Sequence, residues 1–67
     1  MKIFINDEIF ETKEQIPISE LLELAGVQTS RGLALALNDL VIPKLLWHEK
    51  KLNENDRILI IRASQGG

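Results

Sequence analysis

The sequence has no cysteine and a single histidine, and these two shortages exclude several kinds of functional site. Without cysteine there is no disulfide, no thiol nucleophile and no thiolate ligand for a metal ion. The histidine, His48, has no partner residue in view and is weak support for a general base, so we interpret it as an exposed residue of a connection. The four glycines form no phosphate-binding loop. We therefore expect no enzyme, no bound metal or cofactor, and a reducing environment.

Charge and hydropathy exclude two further classes of protein. The 8 basic and 10 acidic residues give a formal net charge of −2, which offers no clustered positive surface for nucleic acid. No apolar run approaches the roughly 20 residues that span a bilayer. The strand pattern begins directly after Met1-Lys2, which leaves no room for a signal peptide. We expect a cytoplasmic protein of one domain, without nucleic-acid or membrane partners.

The N-terminal third predicts a hairpin followed by a helix. Residues 2–6 and 8–12 are typical of strands, and the Asn6-Asp7 pair between them is typical of a tight turn. Pro17 precedes a helical pattern that Gly26 should end. The helix has one apolar face, made by residues at i, i+3, i+4 and i+7. Its members are Ile18, Leu21, Leu22 and Ala25.

The remaining chain predicts three more strands. Residues 33–37 alternate leucine with alanine and should form a strand with one large-residue face. Residues 40–42 predict a short fourth strand, and 44–47 a helical turn. The apolar run at 57–62, after a cluster of turn residues, is typical of a central strand.

This order predicts an α+β fold of the ubiquitin-like β-grasp type, with a mixed sheet of four to five strands covering one helix. The pairing order of the strands is an inference from analogy with known folds. We divide the chain into a domain at residues 1–62 and a flexible C-terminal tail at residues 63–67.

The tail sequence Gln65-Gly66-Gly67 carries the clearest chemical signal. A C-terminal carboxylate is ionised at neutral pH and becomes a good electrophile only when adenylyl transfer from ATP converts it into a mixed anhydride. A sulfur nucleophile can then displace the phosphate and leave a thiocarboxylate. Glycine has no Cβ and fits narrow channels. Two terminal glycines occur by chance in about one chain in 200, although fraying or an added scar would give the same ending. We interpret Gly67 as the reactive residue.

A particular spacing, Asn-x-x-x-Val/Ile-Pro-x-x-x-Trp, is present as Asn38, Ile42, Pro43 and Trp47. Further matching segments are residues 3–7, 18–24 and 34–38, together with Val41, Leu52, Asp56, Ile58 and Gly66-Gly67. In these features, over essentially its whole length, the chain resembles the ThiS family of sulfur carriers in thiamine (thiazole) biosynthesis, within the ThiS/MoaD ubiquitin-like group. The family commonly has glycine where this chain has Asn55, and asparagine is the best substitute in a left-handed conformation.

The resemblance implies a cycle with several partners. An E1-like adenylyltransferase uses ATP and magnesium to activate Gly67. Sulfur then comes from the persulfide of a cysteine desulfurase or another donor, and the thiocarboxylate donates it on thiazole synthase. In this cycle the chain is a carrier and has no catalytic residue of its own.

Alternation along the last strand predicts where partners dock. If Ile3, Ile5, Ile58 and Ile60 face the helix, the opposite face should be an exposed apolar patch beside the tail. Such a patch is typical of a transient docking site, with an ordinary surface as the alternative. The docking candidates are Phe4, Leu59, Ile61 and Ala63, with Arg62 either guiding the tail into an acidic partner or protecting the strand edge.

Several alternatives remain open from the sequence. The chain could carry sulfur for molybdopterin synthesis or another pathway, act as a ubiquitin-like protein modifier, or be an interaction module whose glycines do no chemistry. Trp47 is interpreted as closing one end of the core, with presentation of its ring to a partner as the alternative. We expect a monomer in the absence of partners.

Overall fold

The computed structural model describes residues 1–29 and 32–62. The predicted tail at 63–67 lies outside these ranges, as do two residues of the polar loop before the third strand. The elements are strands β1 (Lys2–Ile5) and β2 (Glu8–Glu11), helix α1 (Ile18–Leu24), strands β3 (Leu33–Leu37) and β4 (Leu40–Val41), a 3-10 helix (Lys44–Leu46) and strand β5 (Arg57–Arg62). No helix within the described ranges is long and apolar enough to cross a membrane.

The five strands form one mixed sheet in the order β2-β1-β5-β3-β4. Strand β5 is central, parallel to β1 and antiparallel to β3, while β2 and β4 form the edges through antiparallel hairpins. The helix covers one face of this sheet. The predicted α+β class, the ubiquitin-like β-grasp arrangement and the central position of the last strand are confirmed. Strands β1, β2 and β4 each end one residue earlier than predicted, within the usual uncertainty of element boundaries.

Both hairpins turn on the same dipeptide in the same conformation. Asn6 and Asp7 have φ values of 49° and 71°, and Asn38 and Asp39 have 50° and 73°. A two-residue turn with both central residues left-handed is type I′, whose twist matches that of the flanking strands. Asparagine and aspartate tolerate this region because their short polar side chains can bond locally. The predicted turn at Asn6-Asp7 is confirmed, and Asn38-Asp39 makes the same turn between β3 and β4.

Helix α1 ends where the sequence predicts, at Gly26. The C-cap residue is Ala25, and Gly26 follows it with φ 75°. The Gly26 amide donates to the Glu23 carbonyl at 3.1 Å and the Val27 amide to the Leu22 carbonyl at 2.9 Å. This is a Schellman motif, in which a left-handed residue lets two amides satisfy the last helical carbonyls.

The core lies between α1 and the covered face of the sheet. Its fully buried members come from both layers and from two connecting segments: Ile3, Ile16, Ile18, Leu21, Leu22, Leu35, Leu52 and Ile58. Leu52 lies between His48 and the turn before β5, where the sequence analysis places no helix or strand, yet its amide donates to the Ile16 carbonyl at 2.9 Å. An isolated bridge also pairs Pro17 with Lys51. The segment before the helix and the segment before β5 therefore close one side of the core together.

Trp47 closes the core as interpreted. Only 3% of the residue is exposed, and its indole Nε1 donates to the carbonyl of Ile42 at 2.8 Å. The residue follows the 3-10 helix, which confirms the predicted helical turn. The alternative, in which the ring is presented to a partner, is wrong for this conformation.

We predict that Asn55→Ala lowers the free energy of unfolding by about 1 kcal/mol, because an alanine in the left-handed region costs roughly 1–2 kcal/mol. Asn55 has φ 69°, and Asn55→Gly should retain or slightly increase stability. Urea denaturation measures the difference. Asn53→Ala is the control, since Asn53 lies in the same turn without positive φ, and an equal loss in both alanine variants would contradict the backbone explanation.

We predict that Trp47→Phe lowers the free energy of unfolding by about 2 kcal/mol. It leaves the Ile42 carbonyl without its donor and opens a small cavity. Chemical denaturation of this variant should be compared with that of Leu45→Ala, whose leucine is exposed and should change stability by no more than about 0.5 kcal/mol. A Trp47→Phe variant as stable as the control would show that the indole bond does not hold this end of the core.

Candidate functional site on the open face of the sheet

The face of the sheet opposite α1 carries an apolar surface centred on β5. Ile58 is 2% exposed and Ile60 packs against the core, whereas Leu59 is 51% and Ile61 44% exposed. Successive side chains of a strand point to opposite faces, so the exposed pair lies on the side that the helix does not cover. The predicted division of β5 into a covered and an open face is confirmed.

Phe4 extends this surface onto β1. It is half-buried, and its register partner in β2 is Ile9. The ammonium nitrogen of Lys2 lies 5.5 Å from the centroid of the Phe4 ring, a distance at which a cation–π attraction operates. A positive charge therefore lies over the face of the Phe4 ring.

Two exposed residues of the open face were missed in the sequence analysis. Ile9 and Val41 are each 63% exposed; Ile9 lies opposite Phe4, and Val41 lies opposite Ala36, which itself pairs with Leu59. Since both hairpins have two-residue turns, counting outward from each turn gives these pairs. That register was available in the sequence, and it extends the apolar surface across all five strands.

Small residues keep the open face flat between its larger side chains. Ala34 and Ala36 lie opposite Ile61 and Leu59, respectively. The alternating leucines of β3 all point into the core, as predicted, which leaves only methyl groups on this side. A partner surface can therefore approach the β3 backbone closely while contacting the two large side chains of β5.

Charged residues border the apolar surface at the start of β5. The Arg57 guanidinium donates to the Asp39 carboxylate at 3.0 Å, and a cavity of about 210 Å³ lies between the two hairpin turns beside Leu59. Both members of the ion pair are largely exposed, so it contributes little to stability.

The predicted site residues nearer the C-terminus are only partly within the described ranges. Arg62 is exposed and, by strand alternation, lies on the face of Ile58 and Ile60, opposite Leu59. Ala63 and the tail residues Gln65, Gly66 and Gly67 lie outside the described residues. Gly67 follows the end of β5 by five residues, a distance of about 16 Å for an extended chain.

The described residues bring no cluster of metal-ligating side chains together. His48 is exposed, with Glu49 as its nearest acidic partner at 3.9 Å. Within residues 1–29 and 32–62, no group of three or more histidine, aspartate or glutamate side chains could hold a metal ion. What this part of the chain offers is an apolar surface and the strand that leads to the terminus.

Comparison with known proteins identifies the family. The model of the ThiS family matches residues 2–67. The chain belongs to the ThiS family. Sulfur carrier protein ThiS of Escherichia coli K12 is 31% identical over 67 residues, covering all of both chains. The uncharacterized protein ycf40 of Pyropia yezoensis is 33% identical over 67 residues, covering all of this chain and 93% of the relative.

A solved structure of a ThiS protein has the same fold. The crystal structure of the thiamine biosynthesis protein ThiS from Geobacter metallireducens aligns with a TM-score of 0.86 over the full length of both chains, at 19% identity. At that identity the likeness concerns the fold. The resemblance stated from the sequence is thus confirmed.

The spacing that suggested the ThiS family has a structural role here. The Asn38 side-chain oxygen accepts the Arg57 amide at 2.9 Å, and the Trp47 indole donates to the Ile42 carbonyl. These residues hold the start of β5 and one end of the core. The residues of this spacing therefore stabilise the fold, and none of them belongs to the open face.

Proposed function

We propose that this chain is a sulfur carrier of thiamine biosynthesis whose reactive group is the carboxylate of Gly67. One observation carries the proposal: the match to the ThiS family extends to Gly67, and a relative named sulfur carrier protein ThiS aligns over the whole of both chains. The open apolar face supports it, because the strand that centres this face is also the one that leads to the terminus. A cytoplasmic location and the absence of catalysis by the chain itself belong to the same proposal.

The proposed chemistry proceeds through an acyl adenylate. A carboxylate oxygen of Gly67 attacks the α-phosphorus of ATP, with magnesium supplied by an E1-like adenylyltransferase, and pyrophosphate leaves. The terminal sulfur of a persulfide, carried by a cysteine desulfurase or another donor, attacks the acyl carbon and AMP leaves. A thiol then cleaves the resulting sulfur–sulfur bond, and the carrier retains one sulfur as a thiocarboxylate.

The thiocarboxylate donates its sulfur to the forming ring on thiazole synthase. In each step the partner must bind the folded domain and admit the terminus. Phe4, Leu59 and Ile61 provide an apolar area for binding, with Ile9 and Val41 enlarging it. Glycines at the end can pass a narrow channel because they have no Cβ. Ala63, the first residue of the tail, completes the proposed contact, whereas Arg62 lies on the other face of β5 and is proposed to guide the tail into the partner.

We predict that incubation with ATP, magnesium, the cognate adenylyltransferase and a persulfide donor increases the intact mass by the exchange of one oxygen for one sulfur. Mass spectrometry of the whole chain measures this change. Deletion of Gly67 should abolish this increase in mass. The shortened chain would end at Gly66, whose carboxylate would lie in the wrong position for activation.

Other outcomes of this experiment favour the other functions. An unchanged mass, with an enzyme that is active on a known carrier, would contradict the sulfur-carrier proposal and favour an interaction module. Isopeptide conjugates to lysine in place of a thiocarboxylate would indicate a protein modifier. A thiocarboxylate that thiazole synthase does not accept would assign the chain to another sulfur pathway, such as molybdopterin synthesis.

We predict that Leu59→Gln raises the KM of the adenylyltransferase for this carrier about tenfold, because a buried apolar contact of this size contributes on the order of 1.5 kcal/mol. Pyrophosphate release at varied carrier concentration measures the KM. The matched control is Leu24→Gln, which changes a leucine that is 58% exposed on the helix, away from the open face.

The two glutamine variants should have similar stability, since both leucines are more than half exposed. If the Leu24→Gln variant raised the KM as much as the Leu59→Gln variant, docking through the open face would be wrong. Denaturation of both variants checks that a higher KM does not come from a loss of folded protein.

A further inference from the structure

The ladder between β1 and β5 is completed by a side chain. The amides of Phe4 and Asn6 donate to the carbonyls of Asp56 and Ile58 at 2.9 and 2.8 Å. In a parallel ladder the next bond runs from the Ile60 amide to the backbone carbonyl of Asn6. Here the Ile60 amide donates instead to the Asn6 side-chain oxygen Oδ1, at 2.8 Å.

The hairpin turn explains this substitution. Asn6 has φ 49° and begins the type I′ turn, so the chain leaves the strand direction at this residue. A glycine would make the same turn but would bring no acceptor for the Ile60 amide. Asparagine meets both needs, since it tolerates the left-handed region and carries an oxygen of its own.

The bond lengthens the part of β5 that is held from both sides. The paired register of β1 with β5 ends at Ile5 and Ile58, whereas β3 pairs with β5 as far as Arg62. With the Asn6 bond, the support from the β1 side reaches Ile60. That is two residues beyond the end of the β1 ladder and two residues before the end of β5.

Asn38 provides a natural comparison at the other end of β5. It is the first residue of the second Asn-Asp turn, and its Oδ1 accepts the Arg57 amide at 2.9 Å. Its amide group also donates to Asp56 at 3.0 Å. The two asparagines therefore share conformation and bond type, and differ in which end of β5 they hold.

We propose that Asn6 is a positioning residue for the reaction of the terminus: its side chain fixes the direction in which β5 leaves the domain, and so the place to which a docked partner receives Gly67. This inference rests on the proposed sulfur-carrier function. When a docked partner holds residues 63–67 extended, Gly67 lies about 16 Å beyond Arg62, and a small change in the direction of β5 then displaces the carboxylate by several times the displacement at Ile60. Asn38 holds the far end of the strand, so its loss leaves the direction of exit unchanged.

The test compares Asn6→Gly with Asn38→Gly in adenylation of the whole chain. Glycine accepts the left-handed conformation, so each change removes the side-chain bonds and keeps the turn. Asn6→Gly should lower kcat for pyrophosphate release about tenfold with KM changed less than about twofold, since misplacement of a bound reactive group affects the step after binding. Asn38→Gly, which loses two side-chain bonds, should leave both parameters unchanged. Asn6→Asp keeps the acceptor oxygen and should restore kcat.

A second pair of variants keeps both turns intact. In a chemically synthesised chain, an ester in place of the Ile60 amide removes the donor to Asn6, and an ester at Arg57 removes the donor to Asn38. Only the Ile60 ester should lower kcat.

An unchanged kcat in Asn6→Gly and in the Ile60 ester would overturn the inference. An equal fall of kcat in the Asn38→Gly and Arg57 ester controls would also overturn it. If the wild-type chain itself is not adenylated, the proposed function fails. If the wild-type chain is adenylated and the loss of the Asn6 bond does not change kcat, only the role of Asn6 is wrong.

Discussion

The parallel pairing of β1 with β5 is the contact on which the rest of this structure depends. Each of these strands already belongs to an antiparallel unit, β1 with β2 and β5 with β3 and β4. Their hydrogen bonds, from the amides of Phe4 and Asn6 to the carbonyls of Asp56 and Ile58, join the two units into one sheet. The same pairing places Ile58 beside Ile5, on the face that also carries Ile3, so that these side chains pack into the core that the helix covers. The first and last strands thus form the centre of the sheet.

The open face follows from the size of the chain. A helix of seven residues can cover one side of a five-stranded sheet and no more. The side it covers takes the larger share of the leucines and isoleucines, and β3 contributes only methyl groups to the other. Leu59 and Ile61 remain exposed on the strand that leads to the terminus. In the proposed function a partner covers this face when it takes up Gly67, so that the domain and its reactive end are recognised together.

The two Asn-Asp turns show how one dipeptide serves folding and, by our proposal, function. Both turns need left-handed residues, and both asparagines use Oδ1 to accept an amide of β5 that has no backbone acceptor. Both bonds are exposed, so each asparagine oxygen replaces water as the acceptor and stabilises the neighbouring strand by about 0.5–1.5 kcal/mol. The bond at Arg57 secures the beginning of the strand, and the bond at Ile60 secures the part nearest the terminus.

Local sequence determined a large part of this fold. Periodicity placed the helix and the five strands, Gly26 marked the end of the helix, and alternation in residues 57–62 separated Ile58 from Leu59. These features depend on side-chain spacing and on backbone angles within a few residues, which a sequence displays directly. The candidate docking residues Phe4, Leu59 and Ile61 were predictable for the same reason, and the family resemblance supplied the chemistry assigned to Gly67.

Tertiary structure alone decided what depends on residues distant in the chain. The burial of Leu52 follows from the bonding of its segment to Ile16, and no local pattern marks that contact. The bond from Ile60 to the Asn6 side chain joins residues 54 positions apart. The sequence by itself determined the elements and the turns, and it supplied the residue that we propose as the reactive end. The structure decided which elements meet and how the last strand is held, because pairing across the sheet is set by the burial of both partners together.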